Sequence, residues 1–249
     1  MPGLRSSQYA YHETVRRFTR KHPAWLDLGC GHHIFGWWMT AEQAEAAAEA
    51  KLVIGMDYEV SSLRKHQAIP HRLAGDIARL PFPDNAFDLV TANMVVEHLE
   101  DVEASLREIR RVLKPGGSFV FHTPNYGSLW VFLSSLSPGF LKLALARLFE
   151  GRASADVFPT RYRMNTPQAV DEHATRSGFE IQNLRLISTS ALTAVLGPLS
   201  VFELLLLRVL EHPRLGRFRS DAIGVLRKPA VFTAAGSTFA APVSGSFNR

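Results

Sequence analysis

The sequence predicts an α/β protein built on a doubly wound, mostly parallel sheet. Three observations carry that expectation. Short apolar runs alternate with amphipathic helical stretches between Trp25 and Thr123, the pattern of strands joined by crossover helices. The first run, Trp25-Leu26-Asp27-Leu28, ends in Gly29-Cys30-Gly31-His32-His33, where glycines let the backbone turn tightly and approach a bound molecule. The next two runs end in the acids Asp57 and Asp76, at the strand ends where open α/β sheets hold ligands.

Residues 7–22 read as an amphipathic helix, with Tyr11, Val15 and Phe18 on one stripe and Arg16, Arg17 and Arg20 elsewhere. It is expected to cover the sheet edge; the alternative is a lid over a ligand through Tyr9 or Tyr11. After the glycine turn, the aromatic piece 34–39 reads as packing. Thr40-Ala41-Glu42-Gln43 is a capping-box pattern opening an alanine-rich helix to about Lys51. Leu52-Val53-Ile54-Gly55-Met56-Asp57 is a second strand. Asp57 suits the two hydroxyls of a ribose, the competing role being an N-cap for a helix over 61–66.

A third strand is expected over 72–77, with Asp76 able to accept from an adenine amine and Ile77 lying against the ring. Residues 87–93 form the fourth strand, so 93–99 falls at its carboxyl end. A helix over 102–113 carries Leu106, Ile109, Val112 and Leu113 on one face and is stopped by Lys114-Pro115-Gly116-Gly117 before a fifth strand at 118–123. Apolar stretches at 129–133 and 140–149 and a loop over 156–165 follow. Thr166 caps a helix with Pro167 at its first position and Gly178 at its end, and 179–187 reads as a strand.

At 249 residues the chain is expected to form a single domain over 1–229, with apolar helical insertions near 127–150 and 190–215 and a disordered tail over 230–249. Cys30 is the only cysteine, which excludes an intrachain disulfide and a thiolate cluster and makes a reducing, cytoplasmic setting the default. The N-terminal residues lack the apolar run of a signal peptide. A net charge of +5, with basic residues spread along the chain and no aromatic interleaving, argues against nucleic acid as a partner.

Taken together, Leu26-Asp27-Leu28-Gly29-Cys30-Gly31, Asp57, Gly75-Asp76, Leu80-Pro81-Phe82, Phe87-Asp88-Leu89-Val90, Glu97-His98-Leu99 and Arg111-Val112-Leu113-Lys114-Pro115-Gly116-Gly117 resemble the class I S-adenosylmethionine-dependent methyltransferases. The branch they resemble holds bacterial small-molecule and quinone methyltransferases. The resemblance covers residues 25–125 and implies a Rossmann-like seven-stranded sheet, mostly parallel, whose last strand, at 222–229, is antiparallel. It implies S-adenosylmethionine as cofactor and S-adenosylhomocysteine as product. Gly29, Cys30 and Gly31 would then meet the methionine end and Asp27 its ammonium. Asp57 and Tyr58 would meet the ribose, Asp76 and Ile77 the adenine, while Asn93 and Met94 would lie beneath the sulfonium. His33 stands where the family has a third glycine, and 34–39 are inserted before the helix.

Methyl transfer is an in-line displacement that needs a base only when the acceptor must lose a proton. His98 is the nearest candidate, with His122 and Glu97 as alternatives; the competing reading has His98 orienting a loop and Glu97 capping a helix. Asn125, Arg161, Tyr162 and Arg163 are candidates for acceptor contact. His32 and His33 diverge on a turn without a third ligand, so no metal is expected. A nicotinamide dehydrogenase would need glycine at Ile34 and a helix directly after the turn. A binding protein without catalysis is the alternative from another class. The acceptor is expected to be a small or amphiphilic molecule, such as a lipid-linked glycan or quinone. The apolar 191–210 stretch, broken by Pro198 and Glu203 and followed by Arg214, Arg217 and Arg219, leaves three readings open. It meets the inner face of a membrane peripherally, forms a homodimer interface, or packs over the site.

Overall fold

The computed structural model describes residues 6–128, 159–189 and 200–230. In chain order the main elements are α1 (Ser7–Thr19), β1 (Ala24–Leu28), α2 (Thr40–Glu49), β2 (Leu52–Asp57), α3 (Val60–Lys65), β3 (His71–Ala74) and β4 (Phe87–Asn93). They continue with a 3-10 turn at Val96–His98, α4 (Val102–Val112), β5 (Leu113–Pro124), α5 (Pro167–Arg176), β6 (Glu180–Ile187), α6 (Ser200–Leu210) and β7 (Asp221–Arg227). The seven strands form one sheet in the order β3-β2-β1-β4-β5-β7-β6. Only β7 runs antiparallel to its neighbours; the other pairs are parallel, as the sequence predicts.

Strand alternation distributes apolar side chains to both faces, which is why helices cover the sheet twice. Trp25, Leu89, Val120, Ile223 and Val225 pack with Tyr11 and Val15 of α1, Ala46 of α2 and Leu63 of α3. Leu26, Leu28, Val90, Phe119, Phe121 and Leu226 pack with Leu106, Ile109 and Val112 of α4 and Val170 and Ala174 of α5. Arg111 locks the loop before β4 to α4, donating to the carbonyls of Leu80 and Phe82 and to Asp84 and Glu108. The sheet order reverses direction between β1 and β4, which opens a crevice at their carboxyl ends.

Several local expectations need correction. Thr40 begins α2 but caps nothing: Met39 is the N-cap, without a side-chain bond, and Gln43 Oε1 instead accepts from Ile34 N–H at 2.9 Å. The inserted 34–39 piece takes the glutamine that a capping box would have used. β5 starts at Leu113 and not at Ser118, because Leu113 already pairs with Phe87 and Lys114 reaches Asp88 at 2.8 Å. β3 ends at Ala74, which leaves Asp76 in the following turn. The helix cap at Thr166 forms as expected, its hydroxyl accepting from Ala169 N–H, and Gly178 follows the helix at φ +72°. Residues 129–150 and 190–199 of the expected insertions, and 231–249 of the expected tail, lie outside the described residues.

Gly224 of β7 has Phe121 of β5 directly across it, and a Cβ there would stand 2.3 Å from the ring. Gly224→Ala is therefore expected to destabilise the fold by about 1–3 kcal/mol through overpacking. Urea unfolding reads this as a lower midpoint; an unchanged midpoint would mean that the ring has room to withdraw.

Candidate active site

The glycine turn closes β1 in a conformation that side chains resist: Gly29 has φ +60° and Gly31 φ +46°. A Cβ at Gly29 would lie 2.3 Å from Val95, so the turn presses against the segment leaving β4. Asp57, at the end of β2, holds the turn from the side. Its Oδ2 accepts from Gly31 N–H and its Oδ1 from Glu59 N–H, both at 2.8 Å. The N-cap of α3 is Glu59, whose carboxylate accepts from Ser61 N–H, so the competing N-cap role for Asp57 falls away. One N–H on each oxygen leaves further acceptor capacity on both.

Asp27 faces the protein interior. It is 1% exposed and accepts from the Thr91 hydroxyl, which in turn accepts from Trp25 Nε1 at 2.7 Å, a chain that ties β1 to β4. Burial pushes its carboxyl up to about 8, with the Asp57 charge adding and the Thr91 hydroxyl opposing. A ligand ammonium would thus meet a neutral acid unless binding itself drove the proton off. Cys30 is 2% exposed, with its sulfur against Gly55, and its thiol is pushed up by burial.

Asn93, at the carboxyl end of β4, is saturated. Its amide nitrogen donates to Ile34 O and Gln8 Oε1, both at 2.9 Å, and its oxygen accepts from Gln8 Nε2 at 3.2 Å. His122 Nδ1 stands 2.8 Å from that same oxygen. The Ile34 carbonyl can only accept, which fixes the amide orientation, so His122 carries a proton on Nδ1. His122 stacks on Tyr11 at 5.5 Å, and Tyr11 meets Phe35 edge-on at 5.8 Å. Through Gln8 and Tyr11, α1 packs on the ends of the central strands β4 and β5 and not on the sheet edge, with Tyr11 buried in the core.

Met94 follows with φ +57°, rare for a non-glycine residue, and its N–H donates to His122 O at 2.8 Å. The turn beyond it carries the acceptor-side candidates. The Glu97 carbonyl accepts from Arg161 N–H and Tyr162 N–H, His98 Nδ1 stands 3.2 Å from Pro159 O, and Arg161 pairs with Glu100 at 2.6 Å. Arg163 donates to Glu100 O, and the rings of Tyr162 and Tyr126 meet at 5.2 Å. His98, Arg161, Tyr162 and Arg163 therefore converge. Asn125 does not offer its side chain: it is buried, donating to Arg217 O and Arg219 O and accepting from Gly127 N–H. Glu97 is 3% exposed and does not cap a helix; its Oε2 accepts from Thr123.

On the opposite side, Asp76 is exposed and accepts from Ala78 N–H at 2.9 Å, Ile77 packs partly against the core, and Tyr58 is 76% exposed. His32 and His33 lie edge-to-face at 6.2 Å. Burial, with His33, Arg72 and His32 adding, pushes the neighbouring His66 down to about 4. Among the described residues no group of three or more histidine, cysteine or acidic side chains is placed to hold a metal ion.

A family model described as a methyltransferase domain matches residues 26–121, the span from β1 through β5 that builds this crevice. Residues 26–121 are thus similar to a methyltransferase domain. The chain is 38% identical over 104 residues to a malonyl-[acyl-carrier protein] O-methyltransferase of Serratia marcescens, covering 42% of this chain and 39% of that protein. It is 41% identical over 104 residues to a demethylmenaquinone methyltransferase of Corynebacterium kroppenstedtii, covering 40% of this chain and 42% of that one. The match thus spans about two fifths of the length of these relatives. Among solved structures, an S-adenosylmethionine-dependent methyltransferase of Mesorhizobium loti aligns with a TM-score of 0.55 at 20% identity, over 86% of this chain and 96% of that one. The seven-stranded sheet, to which 180–187 and 221–227 add β6 and β7, is the fold shared with that structure, and S-adenosylmethionine is the cofactor that the resemblance implies. The site fits that group: at Gly31 a Cβ would have nothing nearer than 4.0 Å, so the turn is open to a close approach there, and the Asp57 carboxylate has acceptor capacity left for two hydroxyls.

Sequence reasoning did not single out Gln8, Thr91, Thr123 or Asn165 as members of this site. Each is a small polar residue of ordinary type, marked only by a partner distant in sequence.

The Asp27 environment has a pH signature. Folded Asp27 keeps its proton up to about pH 8, whereas an unfolded chain releases it near 4. Its contribution to stability is complete below about pH 4 and is lost as pH rises through about 8. Asp27→Asn is expected to flatten the fall in unfolding free energy between pH 5 and pH 8, a difference on the order of 1 kcal/mol per pH unit. Parallel profiles for the two proteins would show that Asp27 is ionised in its buried site.

Proposed function

We propose that this chain transfers a methyl group from S-adenosylmethionine to a small or amphiphilic acceptor. The observation that carries this reading is the Asp57 carboxylate, pinned by Gly31 N–H and Glu59 N–H at the end of β2, beside the glycine turn that ends β1. A fixed carboxylate with one free lone pair per oxygen matches the paired hydroxyls of a ribose, and the glycine turn beside it admits the methionine end. Asp76 and Ile77 lie beyond β3 on the adenine side. When bound, the cofactor supplies an electrophilic methyl on a sulfonium. The protein's residues bind and orient it, exclude water under α1, and place the acceptor against the segment from Met94 to His98. Asn93 takes part by clasping α1 to the sheet, its side chain being saturated.

Calorimetry with S-adenosylhomocysteine tests this directly. The protein is expected to bind it, Asp57→Ala is expected to weaken binding at least tenfold, and NADH is expected not to compete. Binding without methyl transfer to any fraction of a lipid extract or a soluble metabolite pool would favour the scaffold reading; binding of NADH alone would overturn the cofactor.

The acceptor's amphiphilic character rests on α6. Val201, Leu205 and Val209, spaced four residues apart, are 55%, 56% and 54% exposed, while Leu207 and Leu210 are buried. Arg208 in the last turn of α6, and Arg214 and Arg217 in the 3-10 turn that follows it, are exposed. No helix among the described residues is long and apolar enough to cross a membrane, but a short apolar stripe flanked by arginines suits an anionic lipid surface. Flotation with phosphatidylglycerol vesicles is expected to carry the protein upward, and Leu205→Asp with Val209→Asp to leave it behind. Wild-type protein remaining at the bottom, or dimerising through this stripe, would sink the membrane reading.

A further inference from the structure

Two tyrosines stand together beyond the carboxyl ends of the parallel strands β4 and β5. Tyr126 lies two residues past Pro124, where β5 ends. Tyr162 arrives from the 159–165 loop, its N–H donating at 3.1 Å to the Glu97 carbonyl in the turn after β4. That turn borders the crevice, because Val95 presses on Gly29, where a Cβ would stand 2.3 Å from it. The two rings meet at 5.2 Å with a tilt of 38°. Their mounts are rigid: Asn125 and Ser128 flank Tyr126, Met164 and Asn165 follow Tyr162, and each of the four is at most 1% exposed. Asn165 ties the pair together, its carbonyl accepting from Tyr126 N–H at 2.8 Å and its amide donating to Thr123 and Pro124 of β5. Tyr162 also holds φ +52°, a conformation that a bulky side chain resists. On this frame Tyr126 is 52% exposed, with one side of its ring against Tyr162.

We propose that Tyr126 is a binding platform for the methyl acceptor, with Tyr162 the positioning residue behind it, and that the acceptor carries a flat aromatic ring, neutral or anionic, stacked on the open face of Tyr126. This rests on the methyl-transfer reading above. An aromatic face held on a fixed backbone offers contact area at a low cost in ordering. Such a face attracts either a cation or another flat ring, and the surrounding charge decides between them. Arg161 is paired with Glu100 at 2.6 Å, whereas Arg163 meets the Glu100 carbonyl and adds a positive charge to the same loop. A cationic group is repelled there, and an aromatic ring is not. The reach is also suitable. Neighbouring strands lie about 4.8 Å apart, so the end of β5 is about 10 Å from the end of β1, across β4. A ring with a short substituent spans that distance along the turn from Met94 to His98. A saturated ring or an alkyl chain would cover the same area without the stacking preference of two aromatic faces.

Carbon-13 spectra of the full chain with labelled tyrosine, saturated with S-adenosylhomocysteine and titrated with phenol, test the platform. The five tyrosines are assigned by single replacements with phenylalanine. Phenol is expected to shift the Tyr126 ring signals and to leave those of Tyr58, which is 76% exposed, in place. Cyclohexanol, which lacks the aromatic face, and benzylamine, which brings a cation, are each expected to bind at least about threefold more weakly than phenol. Tyr126→Ala should weaken phenol by about fivefold, as should Tyr162→Gly, which suits the positive φ but removes the supporting ring. Tyr162→Phe, which keeps the ring, should hold phenol affinity to within about twofold, and S-adenosylhomocysteine affinity should change by less than that in all three variants. No shift at Tyr126, an equal shift at Tyr58, cyclohexanol or benzylamine binding as tightly as phenol, or phenol affinity unmoved by Tyr126→Ala would overturn the proposal. Failure of the wild-type protein to bind S-adenosylhomocysteine would instead sink the methyl-transfer reading, and the phenol titration would still decide the platform.

Discussion

Where β1 ends, the chain must reverse beside the end of β2, and a backbone N–H meets a carboxylate there: Gly31 donates to Asp57 at 2.8 Å. The bond joins the ends of the neighbouring parallel strands β1 and β2, one strand over from the point where the sheet order changes direction. It requires positive φ at Gly29 and Gly31, and it leaves the turn open on its outer side while Val95 closes it within. The pinned carboxylate, the bare glycine backbone and the crevice beside them are consequences of one constraint. A ligand with paired hydroxyls on one side and a charged amino-acid end on the other fits that arrangement.

A second constraint acts on the opposite wall. Asn93 uses every donor and acceptor it has, drawing α1, the inserted 34–39 piece and β5 onto the end of β4. Buried polar groups joined in this way specify one geometry, because breaking any member strands another without water. The 159–165 loop is held in the same manner to the turn at Glu97, through the Glu97 carbonyl, Pro159 O and Asn165. The cofactor side of the crevice is thus shaped mainly by the early strands, and the acceptor side by residues that return from far along the chain.

That division explains what could be read in the sequence. Strand and helix alternation and the acid at the end of β2 depend on local periodicity and on order along the chain, and these were legible; the antiparallel β7 was expected from the resemblance alone. Asp57 was legible as a site residue, but its choice between ribose ligand and N-cap depended on Glu59 taking the cap, which side-chain reach alone decides. The Thr40 capping box failed because Gln43 found Ile34 instead. Asp27 and Asn125 looked like contacts by position and are buried in bonds to Thr91 and to the 217–219 carbonyls. Those partners lie 64 to 94 residues away, so no pattern in the sequence announces them.

Amide hydrogen exchange of the whole chain with and without S-adenosylhomocysteine tests the central claim most directly, since it reads the backbone groups that build the crevice. The account predicts slowed exchange at Gly31, Glu59 and Ala78, whose N–H groups bond to Asp57 or Asp76, and at residues 94–98. Unchanged exchange at these amides, with protection appearing at another surface, would contradict it.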